Sequence, residues 1–137
     1  MIVADCSAIV HVLTARRIDE DLANRLEHET ITAPHLLDVE VLQALRGLTL
    51  GHKISHERAN HARALYRQLF IVRYPADGLA ERIWSLRHNL TAYDAAYVAL
   101  AEALDCPLVT RDAKLASAGH SANVHIYPRL SPANGDT

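Results

Sequence analysis

The chain has 137 residues, half of them hydrophobic and 22% charged, with a formal net charge of −2. That length and apolar content suit one domain with one core and argue against disorder in the bulk of it, while the small net charge excludes a general electrostatic binder of nucleic acid. Cys6 and Cys106, the two cysteines, make neither a disulfide framework nor a zinc site, and no apolar run reaches the ~18 residues that cross a bilayer.

The opening MIVADCSAIV lacks a basic leader and carries Asp5 inside its apolar run, so it reads as a strand and not as a signal peptide. The chain is therefore expected to be cytoplasmic, in a reducing compartment. Ile2–Ala4 is the first predicted strand, and a short helix over Ser7–Leu13 follows it. A second helix is predicted over Ile18–Glu29, with Leu22 and Leu26 one turn apart. Thr30–Ala33 is a second strand, closed by Pro34. His35–Leu50 is a strong helix, apolar at Leu36, Leu37, Val41, Ala44, Leu45 and Leu48, and Gly51 ends it. Ser55 caps a helix reaching about Leu69, and Phe70–Arg73 is a third strand that stops before Pro75.

Gly78–Arg87 is a short helix, Thr91 opens one running through Leu104, and Leu108 and Val109 form a fourth strand after Pro107. One or two helical turns over Asp112–Ala118 precede an edge strand at Val124–Tyr127. Short β-branched runs alternating with longer helices predict an α/β domain with a parallel sheet over residues 1–127. The polar tail 128–137 is expected to be flexible.

Four acidic residues stand at or near element boundaries in this pattern: Asp5, Glu40, Asp94 and Asp112. Asp5 sits just past the first strand and Asp112 three residues past Val109, hence at one edge if the strands are parallel. Helices flanking parallel strands run back against them, so the early turns holding Glu40 and Asp94 face the same edge. Ligands of open parallel sheets bind there, where strand order reverses. Four carboxylates in one cleft repel one another unless a cation lies among them. Hard oxygen donors without convergent Cys or His imply Mg²⁺, or Mn²⁺ in its place, the chemistry of metal-assisted phosphodiester hydrolysis. Asp105, at the far end of its helix, should lie about 15–20 Å from that rim at 1.5 Å per residue.

Each acid also has a plainer reading. Asp5 and Asp112 fit as helix caps, and Asp94, three after Thr91, fits a capping box. Glu40 has the weakest such reading: Leu36, Leu37 and Ala44 flank it on its own stripe, and Arg46 lies on the wrong side of the helix to pair with it. Arg111 and Lys114 flank Asp112 and would steer phosphates, or simply form solvated surface pairs. The basic residues are twelve Arg and two Lys; arginine suits phosphate, but genomic composition explains the bias as well. His52 and His56 are four apart, with His61 following, yet Gly51 and Ser55 break the helix between them. His11, His35 and His125 read as surface or packing groups, Tyr93 and Tyr97 as packing. Trp84 and the sparse tyrosines make no aromatic platform.

The segments IVADCSAIV, LLDVEVLQAL, LTAYDAAYVALAEAL and PLVTRDAKL together resemble the PIN-domain proteins, and the last two are close to the signature of VapC-type toxins of bacterial toxin–antitoxin pairs. The likeness runs in order over nearly the whole chain. It implies a parallel five-stranded sheet of order 3-2-1-4-5 with helices on both faces, and an Mg²⁺-dependent endoribonuclease. Matched one by one, Asp5, Glu40, Asp94 and Asp112 take the family's catalytic and metal-binding places, with Ser7 and Thr110 as supporting hydroxyls. Asp5 and Asp94 are expected as the most direct ligands, with Asp112 next and Glu40 acting through water or as the base that orients it. The resemblance also implies an RNA substrate, a small VapB-like antitoxin and a homodimer. The competing reading is a catalytically inactive PIN-like binding module. A receiver domain or an aspartyl phosphatase is disfavoured by Asp5-Cys6-Ser7, which lacks the paired acids or Asp-x-Asp of those folds.

Overall fold

Five short apolar runs form five parallel strands in the computed structural model, which describes residues 1–127. Strand β1 (Ile2–Ala4) is followed by α1 (Cys6–Thr14) and α2 (Glu20–His28), and β2 (Ile31–Pro34) by α3 (Leu36–Leu50) and α4 (His56–Gln68). Then come β3 (Ile71–Tyr74), α5 (Ala80–Ser85), α6 (Ala92–Leu104), β4 (Leu108–Thr110) and β5 (Val124–Ile126), with 3-10 turns at Asp77–Leu79 and Ala113–Ala116. The expected flexible tail, residues 128–137, lies outside the described residues.

The sheet order is β3-β2-β1-β4-β5, with every pairing parallel. The chain steps outward twice, from β1 to β2 to β3, and then crosses back to β4 and on to β5. Right-handed crossovers made in opposite directions put their helices on opposite faces. The contacts agree: α1 packs against α3 and α4, whereas α6 lies across β1, β2 and β4 and against α5. The direction reverses between β1 and β4, so the crevice of the sheet opens at their carboxyl ends.

The centre of the fold is apolar on both faces. All of β1 is buried, and α6 is buried without interruption from Ala95 to Ala101. A helix covered all round is a core element, and the alanines at 95, 96, 99 and 101 let its backbone approach the sheet closely. Leu37, Val41 and Leu45 form the buried stripe of α3.

The elements begin and end near their expected positions, with differences that have local causes. The helix expected over Gly78–Arg87 shrinks to Ala80–Ser85, preceded by the 3-10 turn, because Gly78 is a poor helix former and Leu86 and Arg87 already close tight turns. Phe70 falls outside β3 and is 80% exposed, since the register starts with Ile31 opposite Ile71. Gly51 does end α3, but with φ −83°; the left-handed position is taken by His52 at φ 59°. Pro34 completes β2 opposite Tyr74, where the next amide, His35 N–H, donates to Tyr74 O in its stead.

Three polar clasps tie the periphery down. Arg73 donates through Nε and Nη2 to Asp38, which also accepts from the Tyr66 hydroxyl at 2.6 Å, joining β3, α3 and α4. Arg25 links Glu29 at 2.7 Å to Tyr127 and His125 beside the edge strand β5. Arg82 grips both oxygens of Glu102, and the Ser121 amide and hydroxyl donate to the same carboxylate. That last clasp fixes the loop leading into β5. The Arg82 guanidinium, chiefly, holds the Glu102 carboxyl down at about 2, against an ordinary 4.5. A depressed carboxylate stabilises the fold at pH values above 4.5 and ceases to do so as pH falls through its folded value. Glu102→Gln should therefore lower stability by about 1–2 kcal/mol at neutral pH. In urea titrations that deficit should close between pH 4.5 and 2; a deficit unchanged across this range would contradict the clasp.

Candidate active site

Asp5 follows β1 directly, and its amide still donates to Val109 O of β4. The residue is buried, with only 7% of it exposed. Three donors meet it: the Ser7 hydroxyl (2.7 Å) and the Ala8 amide (3.1 Å) at Oδ1, and the Thr110 hydroxyl (2.6 Å) at Oδ2. Asp5 is thus the N-cap of α1, and capping does not use up its chemistry. Each hydroxyl that donates to Asp5 accepts an amide in turn. Ser7 Oγ accepts from Arg111 N–H and Thr110 Oγ1 from Asp112 N–H, both at 2.9 Å. The turn after β4 is thereby locked to the turn after β1.

Asp112 caps the following 3-10 turn through Lys114 N–H, and the Lys114 ammonium stands 3.7 Å from its other oxygen. Asp94 lies in the first turn of α6, its amide donating to the Thr91 hydroxyl at 3.2 Å. Glu40 lies in the second turn of α3, and its Oε1 accepts from the Tyr97 hydroxyl at 2.5 Å. The cap readings of Asp5 and Asp112 and the boundary position of Asp94 are all correct, and the same positions crowd the acids together.

The crowding registers in their protonation. Burial, chiefly, raises the Asp5 carboxyl above its ordinary value, and the charge of Asp112 adds to the rise. Burial raises Glu40, with Asp94 and Asp5 pushing the same way. Asp94 is raised by burial and then by Asp112, and Lys114 offsets part of it. The repulsions Asp5–Asp112, Asp112–Asp94, Asp94–Glu40 and Glu40–Asp5 form a closed circuit. Cys6 sits within it: burial, followed by Glu40 and Asp5, pushes its thiol to about 12, so it is inert.

The donor set is all carboxylate oxygen, which matches a hard divalent cation. Among the described residues no three His, Cys, Asp or Glu side chains are grouped tightly enough to enclose an ion by themselves.

The remaining candidates fall elsewhere. Asp105 is exposed at the opposite end of α6, in the left-handed conformation. Cys6 and Cys106 are both free thiols. His52 and His56 straddle the break between α3 and α4. His11 accepts the Asp19 amide through Nε2 at 2.9 Å, and His125 belongs to the Arg25 clasp. The Trp84 ring is exposed and carries the Arg87 guanidinium 4.7 Å from its centre. Tyr93, expected to pack, is 65% exposed beside Asp94, because the second residue of α6 precedes the stretch that meets the sheet. Sequence reasoning missed Tyr97 as the partner of Glu40, although the two i,i+3 positions Asp94 and Tyr97 on one helix face were a usable signal.

The PIN-domain profile matches residues 2–120. Ribonuclease VapC9 of Mycobacterium tuberculosis is 42% identical over 130 residues, covering 94% of this chain and 100% of its own. Ribonuclease VapC1 of the same species is 47% identical over 118 residues, covering 85% and 89% respectively. Among solved structures, M. tuberculosis VapC20, described as a Sarcin-Ricin loop cleaving toxin, aligns with a TM-score of 0.65 at 16% identity over 88% of this chain and 97% of that one. FitAcB from Neisseria gonorrhoeae aligns with a TM-score of 0.66, also at 16% identity, over 90% and 96%. At such identities the structural likeness speaks for the fold, while the sequence matches speak for kinship. This chain belongs to the PIN-domain family, alongside the VapC ribonucleases.

Proposed function

We propose that the chain is an endoribonuclease that hydrolyses RNA phosphodiester bonds with Mg²⁺, for which Mn²⁺ can substitute, and that it is the toxin of a type II toxin–antitoxin pair. The observation that carries the reading is the circuit of four mutually repelling carboxylates at the switch point of the sheet, where burial and neighbouring charge raise Asp5, Glu40 and Asp94. The ribonuclease relatives over nearly the full chain support it.

Asp5, Asp94 and Asp112 are the residues that would hold the ion, with Glu40 serving through water. A bound divalent cation supplies Lewis acidity toward phosphate and an acidified water near neutral pH. The chain's own part is orientation. Ser7 and Thr110 fix both oxygens of Asp5. The Lys114 ammonium, at the exposed rim of Asp112, and Arg111 beside it provide positive charge where RNA phosphates approach. Hydrolysis would form a phosphorus–oxygen bond to water in line with the P–O3′ bond that breaks, a proton from the water ending on the departing 3′-oxygen. A small VapB-like antitoxin would close the site by setting a cationic side chain against the acids, and the enzyme would act as a homodimer in the cytoplasm. No helix among the described residues is long and apolar enough to cross a membrane.

Two outcomes test the reading. Asp5→Asn should lower RNA cleavage by roughly 100-fold or more, the scale of losing one preorganised charge at a reacting centre, while Asp105→Asn should leave the rate unchanged; equal damage from both would remove the basis for placing the chemistry at this edge. The second outcome concerns stability. Asp5, Glu40 and Asp94 have raised folded pKa values, so the folded state binds more protons than the unfolded one between those values and the ordinary 3.8 and 4.5. Stability of the metal-free protein should therefore fall as pH rises through that window. Mn²⁺ should restore it at neutral pH, read as a melting temperature that climbs with ion concentration. A melting temperature indifferent to Mn²⁺ would favour an inactive binding module.

A further inference from the structure

Tyr97 is 2% exposed, and a phenol buried that deeply needs a hydrogen-bond partner. The partner is Glu40: the hydroxyl reaches out of α6 to Oε1 on α3 at 2.5 Å. Tyr97 lies three residues after Asp94, on the same face of α6, and Asp94 repels the Glu40 carboxylate that Tyr97 holds. We propose that Tyr97 is a positioning residue of the nuclease site: it takes Oε1 of Glu40, holds the carboxylate inward, and leaves Oε2 as the oxygen Glu40 offers to a cation or its water. The inference rests on the nuclease reading of the four acids.

The need for such a device follows from the charges. Asp94 and Asp5 both repel Glu40. Glu40 is only partly buried, and its long, flexible side chain has rotamers that would carry the carboxylate into solvent. Helix α3 cannot make the adjustment for it. Its first turn is clamped on another side by Asp38, which is bound to Arg73 and Tyr66, and its apolar stripe is buried through Leu37 and Val41. What remains free to move is the Glu40 side chain, and the Tyr97 hydroxyl is what restrains it. Tyrosine suits the task because two torsions place its hydroxyl and its ring is itself buried in the core. Burial, and then the Glu40 carboxylate itself, raise the Tyr97 hydroxyl far above its ordinary range. It therefore stays a donor and does not serve as an acid.

The test uses the full chain carrying Tyr97→Phe, which removes one oxygen and keeps the ring. Isothermal titration with Mn²⁺ should give a dissociation constant about 10-fold weaker than wild type, as for other groups that orient a metal ligand. Cleavage should lose kcat with KM nearly unchanged, and circular dichroism should show an intact fold. In a Glu40→Ala background, adding Tyr97→Phe should weaken Mn²⁺ no further, because the two residues act as one unit. If Tyr97→Phe fails to fold, Glu40→Asp withdraws the carboxylate from the hydroxyl and should weaken Mn²⁺ binding likewise. If wild type binds Mn²⁺ and cuts RNA while Tyr97→Phe does both equally well, the role of Tyr97 is overturned and the nuclease reading stands. An equal weakening in both backgrounds also overturns it, since that would be a general effect on the core. A wild-type protein that neither binds Mn²⁺ nor cuts RNA overturns the nuclease reading, and the positioning role with it.

Discussion

A buried carboxylate is expensive unless donors meet it, and the site depends on how Asp5 meets that condition. It receives two hydroxyls and one amide. The Ser7 hydroxyl and the Ala8 amide come from the first turn of α1, and the Thr110 hydroxyl from the end of β4. The charge at residue 5 is tolerable only while β1, α1 and β4 keep their relative positions. Ser7 and Thr110 extend the constraint by accepting the amides of Arg111 and Asp112, so the backbone that carries Asp112 is fixed through the same two oxygens. The polar network does for the crevice what interdigitated side chains do for the core.

The second constraint is the reversal of strand order between β1 and β4. It opens the crevice and puts helices on both faces, so that α3 and α6 approach its rim from opposite sides. An acid on each then faces Asp5 and Asp112. The small residues of α6 matter here. They seat the helix on β1, β2 and β4, which brings its first turn, and Asp94, down to the rim. The Glu102–Arg82 and Asp38–Arg73 clasps hold the flanks at the two ends of this arrangement.

Much of this was legible in the sequence, because the signals are local and redundant. β-Branched runs bounded by Pro or Gly located the strands, caps at Ser55 and Thr91 started helices where expected, and the acid set stood at element boundaries. What escaped was long-range or ambiguous. The pairing of Asp38 with Arg73 spans 35 residues, and no periodicity foretells it. Tyr97 lies in an apolar stripe where a ring looks like packing, and only its hydroxyl, reaching across 57 positions to Glu40, betrays a second task. Tyr93 erred the other way: its place in a buried helix suggested packing, but it precedes the covered stretch. The swap of backbone roles between Gly51 and His52 is set by the geometry of the turn joining two helices, which composition does not encode.

The Thr110–Asp5 bond joins residues 105 positions apart, and it has a meaning for the life of the chain before it is complete. Asp5 leaves the ribosome 105 residues ahead of the hydroxyl that secures it, and ahead of the acid at 112 as well. No nascent or truncated product lacking the region of β4 contains an assembled centre. Harm of the kind proposed here would be deferred until that region has been made and has folded against β1.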